Sequence, residues 1–162
     1  MNKNNPNLIM KNNSKTFFNS SLFFPKAVRS KVMTLYAFVR TADDFVDSIP
    51  QDKDGFIEFR NQYESALDGK HTGNFIIDDF AALKNKTNIP NDWVDSFLES
   101  MEQDLYKIEY KNIAETQAYM YGSAEVVGLM MARVMALPDE SFEYARLLGR
   151  AFQYLNIIRD VK

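Results

Sequence analysis

The stretch Tyr36-Ala37-Phe38-Val39-Arg40-Thr41-Ala42-Asp43-Asp44-Phe45-Val46-Asp47 decides how this chain is read. It contains neither Gly nor Pro, and its apolar residues recur at helical spacing. At about 100° per residue, Tyr36, Arg40, Asp43 and Asp47 fall within about 60° of one another, with Asp44 at the edge of the same stripe. Phe38, Val39, Ala42, Phe45 and Val46 fill the flanks. Aspartate is a poor helix former, and like charges three and four residues apart repel. Three aspartates crowded into five positions of an otherwise apolar helix call for positive charge. Arg40 alone is too little, and a divalent cation is the economical answer.

Working outward, the same helix is expected to run from about Lys26 to Ser48. Pro25 suits a first turn, and Ile49-Pro50 ends the helix because a residue before proline avoids helical geometry. Upstream, Met1 to Asn13 is Asn- and Lys-rich and reads as a flexible tail. Ser14 or Thr16 is placed to cap a short helix that carries Phe17 and Phe18. Downstream, Phe56, Phe59, Tyr63 and Ala66-Leu67 mark an amphipathic helix over 53–67. A short helix over 75–84 follows, then one over 92–107 capped by Asn91 with Trp93, Phe97, Met101 and Leu105 inside. The longest apolar helix spans 113–137, interrupted by Gly122 and Gly128. Pro138 opens the last, with Leu147, Leu148, Ala151, Phe152, Leu155 and Ile158 inside. No strand alternation is visible, so the fold class is all-α, with short loops joining neighbouring helices.

Composition narrows the chemistry. The 162 residues are 46% hydrophobic and 14% aromatic, enough for a folded core. A net charge of −3 offers no basic patch for nucleic acid. Without cysteine there is no thiolate metal site and no cysteine nucleophile. The single histidine, His71, sits in the Gly-flanked segment 68–73 and reads as a solvated loop residue. The amino-terminal residues carry no secretory pattern, and the most apolar run, 126–137, is too short to span a bilayer and contains Arg133. A cytoplasmic protein is the expectation.

Two more polar stripes interrupt apolar helices. Tyr119, Ser123 and Val127 step by four, and Gly128 beside them admits close approach of either a packed helix or a ligand. Gln153, Asn156 and Asp160 fall within about 60° of each other amid Leu, Ile, Phe and Tyr, where unpartnered amides are costly. Glu99, Glu102 and Asp104 read as a wet face. Glu125 either pairs with a nearby base or faces solvent. Carboxylates without histidine or thiol suit Mg²⁺, which takes one or two of them and leaves room for phosphate oxygens. Asp-bearing helices facing one cavity would hold a diphosphate through bridging metal. Aromatic walls drawn from Phe17, Phe18, Tyr36, Phe38 and Tyr119 would shield the carbocation left behind. The reading from residues alone is metal-assisted ionisation of an allylic diphosphate.

These residues also resemble a known family, the squalene/phytoene synthases, and in wording are closer to the prokaryotic phytoene synthases. Ser14-Lys15-Thr16-Phe17 is similar to the family's amino-terminal Ser-Lys-Ser/Thr-Phe element. Tyr36 to Asp47 resembles its first aspartate-rich motif, Tyr-Ala-x-x-Arg-x-x-Asp-Asp-x-x-Asp. Tyr119 to Gly128 resembles its central Tyr-x-x-x-Ser/Ala…Val-Gly helix. Gln153 to Val161 resembles the start of its second aspartate-rich motif. The resemblance implies an isoprenoid synthase-type helical bundle over 14–162 that joins two prenyl diphosphates head to head. By matched position, Asp43, Asp47 and Asp160 would hold Mg²⁺, with Mn²⁺ as a substitute. Arg40 would hold diphosphate oxygens, and Tyr36 would accompany it. Tyr119, Gln153 and Asn156 would line the diphosphate end, Ser123 and Val127 would line the same cavity, and Thr16 and Phe17 would border it. The implied reaction is geranylgeranyl diphosphate to phytoene through a cyclopropylcarbinyl diphosphate, a step of carotenoid biosynthesis.

The second motif lacks its second aspartate, because Asp160-Val161-Lys162 closes the sequence. The resemblance therefore covers little more than half of a typical member, and the expected bundle is truncated before its carboxy-terminal helices. That leaves one wall of the pocket open and makes a missing carboxy-terminal half the expected partner. Oily substrates and products are compatible with peripheral membrane contact. Three alternatives stand beside this reading: a squalene synthase-type enzyme, a head-to-tail prenyl transferase or terpene cyclase sharing the Asp-Asp-x-x-Asp pattern, and an inactive partner-binding fragment.

Overall fold

The computed structural model describes residues 15–107 and 109–160; the side chains of Lys15, Thr16, Phe17 and Asp160 are not part of that description. The expected tail over 1–13, the caps at Ser14 and Thr16, and the placements of the Phe17 and Asp160 side chains all lie outside it. The chain divides into two compact units, Met1–Asn88 and Ile89–Lys162.

In the first unit, α1 (Lys15–Ser21) leads into α2 (Lys26–Asp47), α3 (Lys53–Leu67) and α4 (Phe75–Thr87). α2 buries Val32, Leu35, Phe38, Ala42 and Val46, spaced three to four apart as a core-facing stripe requires. Phe38 is the centre of the packing. Its ring stacks on Phe80 at 3.8 Å between centroids and meets Phe59 at 5.2 Å and Tyr63 at 5.3 Å. Phe38 is fully buried, so it belongs to this core and not to a cavity wall as expected. α2 stops at Asp47, where Ser48 turns extended ahead of Ile49-Pro50. Asp52 then caps α3, its Oδ1 accepting from Gly55 N at 3.0 Å. Asn74 caps α4 in the same way, accepting from Ile76 N at 3.2 Å. α4 runs three residues past the expected Lys84 and ends on Asn88 in the left-handed region, φ 52°.

The second unit contains α5 (Asn91–Asp104), α6 (Ile113–Met120), a π-helical segment (Tyr121–Glu125), α7 (Val126–Val134), a 3₁₀ turn (Asp139–Ser141) and α8 (Phe142–Asp160). Asn91 is the first residue of α5 and not its cap; Pro90 holds the cap position without a side-chain bond. Asn112 caps α6, with Oδ1 accepting from Glu115 N at 2.9 Å. The helix expected over 113–137 is one run with a π segment inside it, ending at Val134. Its glycines are contacts and not breaks. A Cβ at Gly122 would overlap Ser96 O and Ser100 Oγ of α5, and one at Gly128 would overlap Ala145 O of α8. The close approach allowed by Gly128 is therefore to a helix.

The largest departure from expectation is α8. Apolar periodicity places Leu147, Leu148, Phe152, Leu155 and Ile158 inside, yet they are exposed, from 43% at Leu147 to 68% at Ile158, and Ala151 is exposed too. Among the described residues nothing packs on that face, because α8 uses its other side against α7 and the π segment. No helix of the described residues is long and apolar enough to cross a membrane.

Phe38→Ala leaves a void where three rings meet Phe38 and is expected to destabilise the first unit by about 3–5 kcal/mol in a denaturant titration. Gly128→Val drives a side chain into the α8 backbone and is expected to cost about 1–3 kcal/mol, read in the same way on the second unit.

Candidate functional site

The aspartate-rich turn at the end of α2 is built around Arg40. Its Nη1 lies 2.6 Å from Asp43 Oδ2 and its Nη2 2.5 Å from Asp44 Oδ1, so one guanidinium answers two carboxylates. Asp44, at the edge of the stripe by spacing alone, is thereby a full member of the cluster. Asp47, one turn on, is exposed and has no ion-pair partner among the described residues. Arg40 Nε is buried and lacks a hydrogen-bond partner. Such an orphaned donor on a charged fork suits an anionic oxygen. Burial works against the Arg40 charge, but Asp43 and Asp44 outweigh it and hold its pKa above the usual value. Half-buried Tyr36 has its hydroxyl pKa raised, first by burial, with Arg40 opposing and Asp44 and Asp43 reinforcing.

No three His, Asp or Glu side chains among the described residues converge as a metal site. The donor set present, Asp43 and Asp47 on one helix stripe, is the hard-oxygen pair that Mg²⁺ takes when water and phosphate complete its shell.

In the second unit the Tyr119 hydroxyl donates to Asp104 Oδ2 at 2.9 Å. Burial, then the Asp104 charge and hydrogen bond, push its pKa far above that of a free tyrosine. The Tyr110 ring lies 4.9 Å from that of Tyr119, and burial with the Asp104 charge pushes its hydroxyl up to about 12. Lys107 Nζ sits 4.3 Å over the Tyr110 ring and 3.1 Å from Glu115. Asp104 is thus half-buried and partnered, not part of the wet face its neighbours suggest. The signal that could have found it is its place at the last residue of α5, where a carboxylate opposes the helix dipole and needs a donor. Ser123 Oγ is buried without a well-formed hydrogen bond, although it lies close enough to Tyr119 to work against that rise. Val127 is half-buried, and the π segment lies between Tyr119 and Val127, so a step of four no longer repeats the α-helical offset.

On α8, Asn156 Nδ2 reaches Gln153 Oε1 at 3.5 Å. Gln153 is half-buried and Asn156 exposed, so Asn156 is not buried among the apolar residues beside it in sequence. Glu125 does pair with bases. It is fully buried, with Oε2 3.1 Å from Arg146 Nη1 and Oε1 2.6 Å from Arg150 Nε. The arginines, four apart on α8, were missed because each reads as an ordinary solvated residue in isolation. His71 is exposed, with Nδ1 2.6 Å from Asp78 Oδ2.

Against known proteins, the family model described as squalene/phytoene synthase matches residues 10–162. A 15-cis-phytoene synthase of a Paracoccus species is 31% identical over 160 residues, covering 91% of this chain and 52% of the relative. The 15-cis-phytoene synthase of Pantoea ananas is 30% identical over 178 residues, covering 98% and 57%. The crystal structure of a dehydrosqualene synthase in complex with ligand superposes with a TM-score of 0.83 at 27% identity, covering 96% of this chain and 55% of that one. This chain spans about half the length of the curated relatives it matches. The all-α isoprenoid synthase-type fold expected from the motifs is the fold observed. With a family match over nearly its whole length, the chain belongs to the squalene/phytoene synthase family.

Proposed function

We propose that this chain supplies the diphosphate-ionising part of a head-to-head prenyl transferase, converting geranylgeranyl diphosphate to phytoene in carotenoid biosynthesis. The observation that carries the reading is the Arg40 fork: one guanidinium between Asp43 and Asp44, with Nε buried and unpartnered, beside an exposed Asp47. Arg40 stays charged and offers Nε to a diphosphate oxygen. Asp43 and Asp47 would hold Mg²⁺, and Asp160 is assigned to metal by its motif position. The bound metal supplies Lewis-acid stabilisation of the departing pyrophosphate.

The allylic C–O bond breaks and its electron pair leaves with pyrophosphate. The double bond of the second chain adds to the cation and a proton is lost, giving the cyclopropylcarbinyl diphosphate. Loss of the second pyrophosphate, rearrangement and loss of another proton give the linear product. Tyr36 and Tyr119 contribute by remaining neutral. A phenol is already neutral at neutral pH, and burial raises both hydroxyls further, so neither offers a phenolate that would capture a carbocation; the Tyr119 O–H is engaged by Asp104. Thr16, Phe17, Ser123, Val127, Gln153 and Asn156 are assigned to substrate contact by their motif positions.

A specific observation favours a partner as well. Tyr144, Leu148, Phe152, Leu155 and Ile158 are each more than half exposed along α8. An apolar face of that size is an interaction surface, and its occupant is the carboxy-terminal half that family members of twice this length possess.

The test is incubation of the chain with geranylgeranyl diphosphate and Mg²⁺, alone and with a relative's carboxy-terminal half. Pyrophosphate release with phytoene or its cyclopropyl intermediate is expected, increased by the added half. A longer linear diphosphate would point instead to head-to-tail elongation, and no release in either arm would sink the reading. Asp43→Asn and Asp47→Asn are expected to slow release on the order of 100-fold or more, with helix content unchanged by circular dichroism.

A further inference from the structure

Glu125 has no place in the chemistry above, yet it is the most completely buried charge in the described second unit. Its surroundings show what it does. α7 and the π segment meet α8 across two glycines. A Cβ at Gly128 would overlap Ala145 O, and one at Gly149 would overlap Ala124 O. These two contacts define an antiparallel register between the start of α7 with the end of the π segment and the first half of α8. Glycine contacts let the backbones approach but are smooth, and they do little to stop one helix from rotating on the other. The far side of α8 offers no help, since it is exposed from Tyr144 to Ile158.

What is directional at this interface is the charge cluster. Glu125 presents Oε2 to Arg146 at 3.1 Å and Oε1 to Arg150 at 2.6 Å. Arg146 is itself held by Glu143, Nη2 to Oε1 at 2.7 Å and Nε to Oε2 at 3.0 Å. On α8, Arg146, Arg150 and Gln153 fall within about 60° of one another. The groups that Glu125 grips therefore share a face with the amide assigned to the substrate. A buried carboxylate between two arginines is weak evidence for stability, because apolar replacements of such triads are often as stable or more so. Its geometry, two fixed guanidinium forks on one carboxylate, constrains rotation instead.

We infer that Glu125 is a positioning residue: through Arg146 and Arg150 it locks the rotation of α8 and so fixes the direction in which Gln153, on the same face of that helix, is presented. As a statement about substrate binding, this rests on the function proposed above.

The absence of cysteine permits a clean test. Spin labels at Asp92→Cys on α5 and Leu155→Cys on α8 report the placement of α8 as a distance distribution. Mg²⁺-dependent affinity for farnesyl thiodiphosphate, a probe that ionises poorly, reports the site. Two variants are compared with the parent: Glu125→Gln, and an apolar triple, Glu125→Met/Arg146→Leu/Arg150→Leu. The single variant is expected to broaden the distribution and weaken the probe about tenfold or more, as misplacement of a binding group does. The triple variant is expected to recover the parent's melting temperature while keeping the broad distribution and the weak binding. A triple variant that recovers all three would reduce Glu125 to a structural residue and overturn the inference. So would a Glu125→Gln protein with the parent's distribution. If the parent itself does not bind the probe, the substrate reading fails, and the distance distributions still decide whether Glu125 positions α8.

Discussion

A helix that ends in three aspartates is stable only if something outside its own preferences holds it. α2 closes on Asp43, Asp44 and Asp47 with no basic residue in its last turn. Carboxylates there repel one another and also face the negative end of the helix dipole. Two features offset this. Arg40 sits one turn back and bridges the first two carboxylates. On the opposite face, Phe38 locks the helix into a ring of aromatic contacts with Phe59, Tyr63 and Phe80. The core carries the helix so that its end can be electrostatically unfavourable. A charged cluster built this way is presented by a helix whose position the core already fixes.

The second unit follows the same logic with the signs reversed in space. Here the unfavourable charge is inside, on Glu125, and the surface around it has been smoothed by Gly128 and Gly149. Desolvating a carboxylate costs several kcal/mol, of which pairing with arginines returns only part. The π segment over Tyr121–Glu125 is the local backbone feature that goes with it. By adding a residue to one turn, it buries Gly122 against α5 and Glu125 against α8, contacts to two different helices.

These differences in physical origin explain what the sequence disclosed. α2 and α3 were legible nearly to the residue, because each has a one-sided aromatic stripe and a hard stop, Pro50 for one and Gly69 for the other. The Asp-rich turn was legible because crowded like charge is improbable without a purpose. The partner of Asp44 was not, since spacing alone assigned Arg40 no preference between edge and centre. The π segment was invisible: Tyr119 to Val127 reads as ordinary α-helix, and nothing in local composition demands an extra residue. Gly122 and Gly128 looked like breaks because the helices they press against lie far off in sequence. Asn91 looked like a cap because its type favours one, whereas Pro90 already held the extended geometry that the position needs. α8 misled for another reason. Apolar periodicity reports which face is suited to burial, and burial itself requires something to cover it.

That exposed face bears on how a complementary half would bind. α8 is helical here with only one side packed, and its own sequence accounts for that. Glu143 stands in the first turn and Arg159 in the last, each matched to its end of the dipole, and Arg146 pairs with Glu143 at i,i+3. Glu125 then ties the helix down from the packed side. A segment docking on Tyr144, Leu148, Phe152 and Leu155 therefore meets a surface that is already ordered. The entropy of forming α8 has been offset within this chain, so more of the apolar area buried on docking remains as affinity. An α8 that formed only on contact would have to spend part of that gain on its own folding, as coupled folding and binding does. The buried carboxylate and the bare hydrophobic face are thus two sides of one arrangement: a helix fixed on its packed side while its apolar side stays open.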